Sequence, residues 1–290
     1  MANTLESLTL FATKPADTIA IPPQPPTKDT EYLDRLESTL EQVEDSLAAE
    51  TTVPVPVAEE HKQTALTVTV VIPVYNERDT IIEIVRRVQA AQMHSEIIIV
   101  DDFSLDGTRR LLLELAQEKG IEVLFHGYNR GKGAALRTAF AAASGDVILI
   151  QDADLEYDPA DYEKLLEPLE NGTTNVVYGS RFMTNPKQDP SRLHRFGNWL
   201  LTALSNRFTG QRLTDMETCY KVFRRELLDN ITLKQNRFGF EPEFTAKLSK
   251  LGEKITEVPI RYDSRGYDSG KKIGLRDGLN ALWCIVRYGW

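Results

Sequence analysis

The sequence predicts an α/β protein built on a largely parallel sheet with helices on both faces. Two observations predict it. From Thr67 onward, apolar runs of strand length alternate with amphipathic runs of helix length, and repeated β-α units imply parallel strands. Within that alternation, Val147-Ile148-Leu149-Ile150 stops abruptly at Gln151-Asp152-Ala153-Asp154. The run reads as a buried strand, and its C-terminal end is where open α/β sheets bind ligands.

In chain order, residues 1–62 form a separate unit. They hold 12 of the 43 acidic side chains, 4 of the 34 basic ones and 7 of the 14 prolines. This unit carries most of the net charge of −9, so the acidity says little about partners of the main body. Such a segment buries too little apolar surface to order itself, and a disordered tail is expected. Within it, Leu33, Leu36, Leu40, Val43 and Leu47 recur at spacings of three and four, which predicts a short helix over about 29–50. It reads either as a lone amphipathic helix or as a self-association arm.

Residues 63–290 form the second unit. Strands are expected at Val68–Val74, Glu96–Val100, Ile121–Phe125, Val147–Ile150, Asn175–Tyr178 and Ile255–Tyr262. Helices are expected at Thr80–Ala91, Thr108–Lys119, Lys132–Ala143 and Pro159–Leu169, with helical spacing after Arg192. The chain closes on an amphipathic stretch near 274–290, with Leu275, Leu279, Leu282, Trp283 and Val286 on one side and Lys271, Lys272, Arg276 and Arg287 beside them. That pattern suits either the protein's own core or a membrane surface.

Composition narrows the classes. Cys219 and Cys284 are too few for a disulfide framework and lack metal-site spacing, which points to a reducing, cytoplasmic compartment. A basic arm or zinc pattern for nucleic acid is missing, as are a secretory leader and an apolar run of spanning length.

Chemistry-bearing residues sit at the expected strand ends. Asp152 and Asp154 alternate to one side of their strand, where two hard oxygen donors suit a divalent cation shared with substrate phosphates; a solvated strand end with a helix cap reads equally from the dyad alone. Pro73, Tyr75 and Glu77 follow the first strand, offering a bend, a flat face for a base and an acceptor. Asp102 ends the second strand and can accept from a base edge or ribose. Lys132, flanked by Gly131 and Gly133 before a helix, can face phosphate oxygens, although the spacing is not that of a P-loop. Glu241 and Glu243, beside a Gly-Phe turn, shape a pocket or serve as a base, and Asp215 is a further candidate of that kind.

Taken together, Ile72-Pro73-Val74-Tyr75-Asn76-Glu77, Val100-Asp101-Asp102-Phe103-Ser104, Asn129-Arg130-Gly131-Lys132-Gly133-Ala134, Asp152-Ala153-Asp154-Leu155 and Gly179-Ser180-Arg181 resemble glycosyltransferase family 2, with its Rossmann-like GT-A fold. Thr214–Lys221, Gly239–Glu243 and Gly270–Gly274 resemble the bacterial relatives of dolichol-phosphate mannose and glucose synthases. The resemblance spans about residues 66–288. It implies that Pro73, Tyr75, Glu77 and Asp102 bind the nucleotide, with Lys132 beside its phosphates. It implies that Asp152 and Asp154, with the Ala153 backbone, hold Mg2+ or Mn2+ and diphosphate, and that Arg181 contacts phosphate. Arg265 and Lys271 keep the Arg-to-Lys spacing of the family's acceptor-phosphate stretch, with departures at Asp268 and Gly270, and Lys272 adds to that basic segment; Glu156 replaces a common Gln.

The resulting expectation is a metal-dependent, inverting transferase that moves glucose or mannose from a UDP- or GDP-sugar to polyprenyl or dolichyl phosphate at the cytoplasmic membrane surface. Asp154, Arg181 and Glu241 are its expected catalytic residues. Two other functions compete: a transferase of the same fold acting on a glycan or small-molecule hydroxyl, and a non-catalytic nucleotide-sugar-binding scaffold.

Overall fold

The computed structural model describes residues 66–183, 192–264 and 275–289. The expected tail and its helix near 29–50, with any self-association, lie outside the described residues, as do Arg265, Lys271 and Lys272.

Among the described residues, seven strands form one sheet: β1 (Val68–Val74), β2 (Glu96–Asp101), β3 (Ile121–Phe125), β4 (Val147–Ile150), β5 (Val176–Ser180), β6 (Lys221–Arg224) and β7 (Ile255–Pro259). Their order is β3-β2-β1-β4-β6-β5-β7. All neighbours run parallel except β6, which is antiparallel to both β4 and β5. The helices are α1 (Ile81–Ala91), α2 (Thr108–Leu115), α3 (Lys132–Ala142), α4 (Tyr162–Glu170), α5 (Arg192–Thr209), α6 (Phe240–Lys250) and α7 (Leu275–Gly289).

The apolar runs behave as strands covered by helices must. Every residue of β4 is buried, and β1 is buried at all positions but Pro73. Each such aliphatic side chain contributes about 1.5–3 kcal/mol relative to exposure. In α1 the inward stripe is Ile81, Ile84, Val85 and Val88, the spacing read from the sequence. The register pairs Val71 with Ile150 and Val74 with Asp101, so the ends of β1, β2 and β4 open on the same edge.

The structure shifts several boundaries and adds a strand. β7 ends at Pro259 rather than Tyr262, and β5 runs over Val176–Ser180 rather than Asn175–Tyr178. α2 ends at Leu115 rather than Lys119, because Gln117 and Glu118 donate to carbonyls only three residues back and Gly120 turns the chain at φ 83°. The stretch from Pro159 opens as a 3-10 turn, with Asp158 accepting from the Ala160 amide at 3.0 Å. The added strand is β6. It is four residues long and starts with a fully buried lysine, Lys221. Its ammonium donates to the carbonyls of Met216 (3.0 Å) and Thr218 and lies 4.4 Å from the centre of the Tyr178 ring.

The apolar residues of α7 divide. Ala281, Cys284 and Ile285 face the core, whereas Leu279, Trp283 and Val286 are exposed. Among the described residues no helix is long and apolar enough to cross a membrane.

Candidate active site

The loop that carries Lys132 is built by two glycines and one aspartate. A Cβ on Gly131 would collide with the carbonyl of Asn236, and one on Gly133 with the carbonyl of Gln235. Gly131 also has φ 95°. The glycines therefore let the segment 235–237 cross directly over the loop, where Arg137 ties it down through the Gln235 carbonyl and the Asn236 side chain. From the other side Asp102, buried at the end of β2, accepts from the amides of Arg130 (2.8 Å) and Gly131 (2.6 Å). His126 Nδ1 meets the same carboxylate at 2.7 Å, and His126 Nε2 meets Thr138 Oγ1 at 2.9 Å. Asp102 thus spends most of its acceptor capacity holding the loop.

Held this way, Lys132 reaches both Asp152 (3.0 Å) and Glu241 Oε1 (3.3 Å). Asp152 comes from the end of β4 and Glu241 from the first turn of α6, so three distant stretches meet at one ammonium. Burial opposes the charge on Lys132, but Asp152 overrides it and pushes the amine well above its ordinary value. Burial likewise opposes the charge on Asp152, and Lys132 holds its carboxyl below the usual range. The sequence led to a lysine facing phosphate oxygens; here it faces carboxylates that flank that position.

Ala153 is buried between the two aspartates, and Asp154 is half-buried, its Oδ1 accepting from the Glu156 amide at 3.3 Å. Two carboxylates at a strand end fit a cation shared with a diphosphate, since Mg2+ takes one or two carboxylates plus substrate oxygens. Among the described residues no group of three His, Cys, Asp or Glu side chains gathers to hold an ion without substrate.

Arg181, just past β5, is locked by Asp215. Nε donates to Oδ2 at 2.6 Å, a terminal nitrogen to Oδ1 at 2.7 Å, and a terminal nitrogen reaches Asn198 of α5 at 3.4 Å. A bidentate pair of this kind fixes orientation as well as charge. Asp215 is fully buried, so it serves as the anchor of Arg181 rather than as a solvent-facing base. The guanidinium also lies 5.2 Å from the Tyr262 ring. Tyr262 donates to Glu156 at 2.9 Å, and the Asp263 amide donates to the Glu156 carbonyl at 2.9 Å. The chain that leads into Arg265–Lys272 is therefore stitched to the segment two residues past Asp154.

Tyr75 and Pro73 are half-buried at the end of β1 and Glu77 is buried. Their loop turns at Asn76, φ 53°, whose amide donates to Ser104 Oγ and whose side chain accepts from the Leu105 amide, each at 2.8 Å. Glu77 accepts from Thr80 Oγ1 at 2.8 Å, which places it at the start of α1.

Among the described residues, two carboxyls have unpartnered buried oxygens: Glu241 Oε2 and Glu217 Oε1. Burial, and then the neighbouring Glu241, push Glu217 up to about 8. Burial pulls Lys221 down to about 8, against the opposing pull of Glu241 and Glu217. Sequence reasoning quoted Glu217 within Thr214–Lys221 but gave it no role; a carboxylate inside the apolar run Met216–Tyr220 was the available clue. Glu243 does something else. It accepts from the amides of Lys234 (2.8 Å) and Gln235 (2.7 Å) and from Lys247 (2.5 Å), anchoring the segment that crosses the lysine loop.

The model of Glycosyl transferase family 2 matches residues 69–232. Glycosyltransferase AglJ of Haloferax volcanii is 32% identical over 213 residues, covering 73% of this chain and 68% of the relative. An undecaprenyl-phosphate 4-deoxy-4-formamido-L-arabinose transferase of Pseudomonas fluorescens is 30% identical over 217 residues. That match covers 72% of this chain, which spans 61% of the relative's length. Among solved structures, glucosyl-3-phosphoglycerate synthase of Mycobacterium tuberculosis, in complex with Mg2+ and uridine diphosphate, superposes with a TM-score of 0.62 at 20% identity. That superposition covers 78% of this chain and 80% of the other.

Proposed function

Because the chain belongs to glycosyl transferase family 2, we propose that it is an inverting hexosyltransferase that moves glucose or mannose from a UDP- or GDP-sugar to polyprenyl phosphate. The observation that carries the reading is the meeting of Lys132, Asp152 and Glu241 at the C-terminal edge of β4. It sets a half-buried cation among carboxylates where a nucleotide diphosphate would enter.

In this reading Pro73, Tyr75, Glu77 and Asp102 shape the nucleotide end of the site. Asp152 and Asp154 would hold Mg2+ or Mn2+, which would supply positive charge to the departing diphosphate. Arg181, fixed by Asp215, adds a second positive group. Lys132 exchanges a carboxylate for a phosphate oxygen when donor arrives. A phosphate monoester is ionised at neutral pH and needs orientation rather than a base, which Arg265, Lys271 and Lys272 provide. The acceptor is supported by the relative whose name specifies undecaprenyl phosphate. The enzyme works on the cytoplasmic face of the membrane.

A hydroxyl acceptor is the second reading. It is favoured by Glu241 Oε2, a buried carboxyl oxygen with no partner, which is suited to take a proton. One assay separates the two: release of UDP or GDP from a panel of nucleotide sugars, with and without polyprenyl phosphate. Release that depends on the lipid phosphate supports the first reading, and release that depends only on a sugar or small hydroxyl acceptor supports the second.

A further inference from the structure

Phe103 takes a backbone conformation that suits glycine. Its φ is 68°, where a bulky side chain costs stability that Gly or Asn would not lose. Strain of this kind persists where the surrounding structure enforces it, and it gathers at ligand sites. Here the enforcing bonds are plain. The Asp102 amide donates to the Val74 carbonyl at 2.8 Å, and the Asn76 amide donates to Ser104 Oγ at 2.8 Å. The Ser104 amide donates in turn to the fully buried Asp101, 3.2 Å from Oδ2. The residues on both sides of Phe103 are therefore bonded to the residues on both sides of Tyr75. The two aromatic residues are brought alongside each other where β1 and β2 end.

A cation backs the Phe103 ring. The Arg109 guanidinium lies 5.5 Å from the centre of that ring and 5.0 Å from the centre of the Phe125 ring. Its Nε sits 3.1 Å from Asp101 Oδ2, and a terminal nitrogen donates to the His126 carbonyl at 3.4 Å. Arg109 is thus fixed by the same carboxylate that fixes Ser104. Phe103, Arg109 and Phe125 form a column of flat groups running from the nucleotide end of the site to the end of β3. Phe103 is only half-buried, so a further flat group can reach it.

Base recognition needs such a group. Asp102 is the residue placed to read a base edge, but it already accepts from the amides of Arg130 and Gly131 and meets His126. Little acceptor capacity is left for a ligand. Stacking on an aromatic face draws on no acceptor at all, and every base has such a face to offer. A guanidinium behind the ring strengthens the column through its attraction to the π-system.

We infer that Phe103, backed by Arg109 and Phe125, is the stacking platform for the nucleobase of the donor. The inference rests on the nucleotide-sugar reading of the site and adds to it the side chain that grips the base.

The test is calorimetric titration of the full chain with UDP and with GDP, each with Mn2+, and with inorganic pyrophosphate and Mn2+ as the ligand that lacks a ring. Phe103→Leu keeps apolar bulk and removes the ring. It should weaken binding of the nucleotide by about five- to a hundredfold, the range for loss of one base–aromatic stack. Its affinity for pyrophosphate should be that of wild type. Phe103→Tyr restores a ring and should bind nucleotide as wild type does. Phe103→Gly adopts φ 68° without strain, so it supplies a second ringless protein if leucine disturbs the loop, and thermal melts check that each variant is folded. Wild-type nucleotide affinity in folded Phe103→Leu or Phe103→Gly overturns the inference. So does an equal loss for pyrophosphate, which would make Phe103 a support of the loop rather than a platform. Wild type that binds neither nucleotide nor pyrophosphate refutes the transferase reading itself, whereas intact nucleotide binding by the ringless variants refutes only the platform.

Discussion

Lys132 and Asp152 meet at 3.0 Å, although twenty residues and a whole helix separate them in the chain. The contact exists because Gly131 and Gly133 bring the loop under segment 235–237 and aim the lysine at the end of β4. Replacing Lys132 by Met should lower kcat/KM by about 10²–10³, the loss seen when one preorganised donor is removed from an active site. Steady-state kinetics on folded Lys132→Met protein checks this, and activity within tenfold of wild type would remove Lys132 from the mechanism.

Asp154→Ala should abolish transfer without unfolding the chain, since Asp154 is half-buried and its Oδ1 accepts from the Glu156 amide at 3.3 Å. Calorimetric titration of UDP with and without Mn2+ gives the matching readout. Wild type should bind the nucleotide more tightly with the ion, and Asp154→Ala should lose that difference. Sustained turnover by the variant under chelation would refute the assignment.

Asp102→Ala should destabilise the fold by about 1–3 kcal/mol, because the amides of Arg130 and Gly131 lose a buried acceptor. His126→Ala removes the other partner of that carboxylate and should raise KM for the donor by loosening the Lys132 loop. Thermal melts and donor KM, measured on both variants, distinguish the effects. An unchanged melt for Asp102→Ala would contradict the anchoring role.

Glu217 sets a pH dependence. Its ordinary value is 4.5 and burial raises it to about 8, so the folded protein binds more protons than the unfolded chain between those values. Its contribution is fully present below about pH 4.5 and is lost as pH rises towards 8, with a slope on the order of 1 kcal/mol per pH unit at most. Glu217→Gln should flatten stability across that window and raise it near pH 8 relative to wild type. Denaturant midpoints at pH 5.5 and at about pH 8 test the difference, and parallel curves for the two proteins would count against it.

The parallel part of the fold was legible because β1, β2 and β4 are continuous aliphatic runs and α1 has a clean stripe at Ile81, Ile84, Val85 and Val88. β6 was not, since four residues bracketed by Lys221 and Arg224 give no strand pattern, and burying Lys221 depends on carbonyls supplied by tertiary structure. In the site, Asp152 could be named from its position at a strand end, Lys132 from its flanking glycines before a helix and Glu241 from its place beside a Gly-Phe turn, whereas Arg181 came with the family resemblance. Their pairings could not: the Arg181–Asp215 lock spans 34 residues, and nothing in the local sequence of either partner encodes the other. The anchoring work of Glu243 on segment 234–235 was invisible for the same reason, because its partners there are backbone amides.

The position of β6 bears on how the polypeptide matures during synthesis. β3, β2, β1 and β4 come from consecutive units and can assemble as soon as Ile150 has emerged from the ribosome. β5 is made next, yet its place is not beside β4, because the intervening slot belongs to Lys221–Arg224, made some forty residues later. Until then β4 exposes the unpaired edge that carries Asp152 and Asp154 at its tip. The strand order thus predicts assembly in two stages, with a four-residue strand closing the gap between them, and a nascent chain arrested before Lys221 should offer an open sheet edge to chaperones or to another strand.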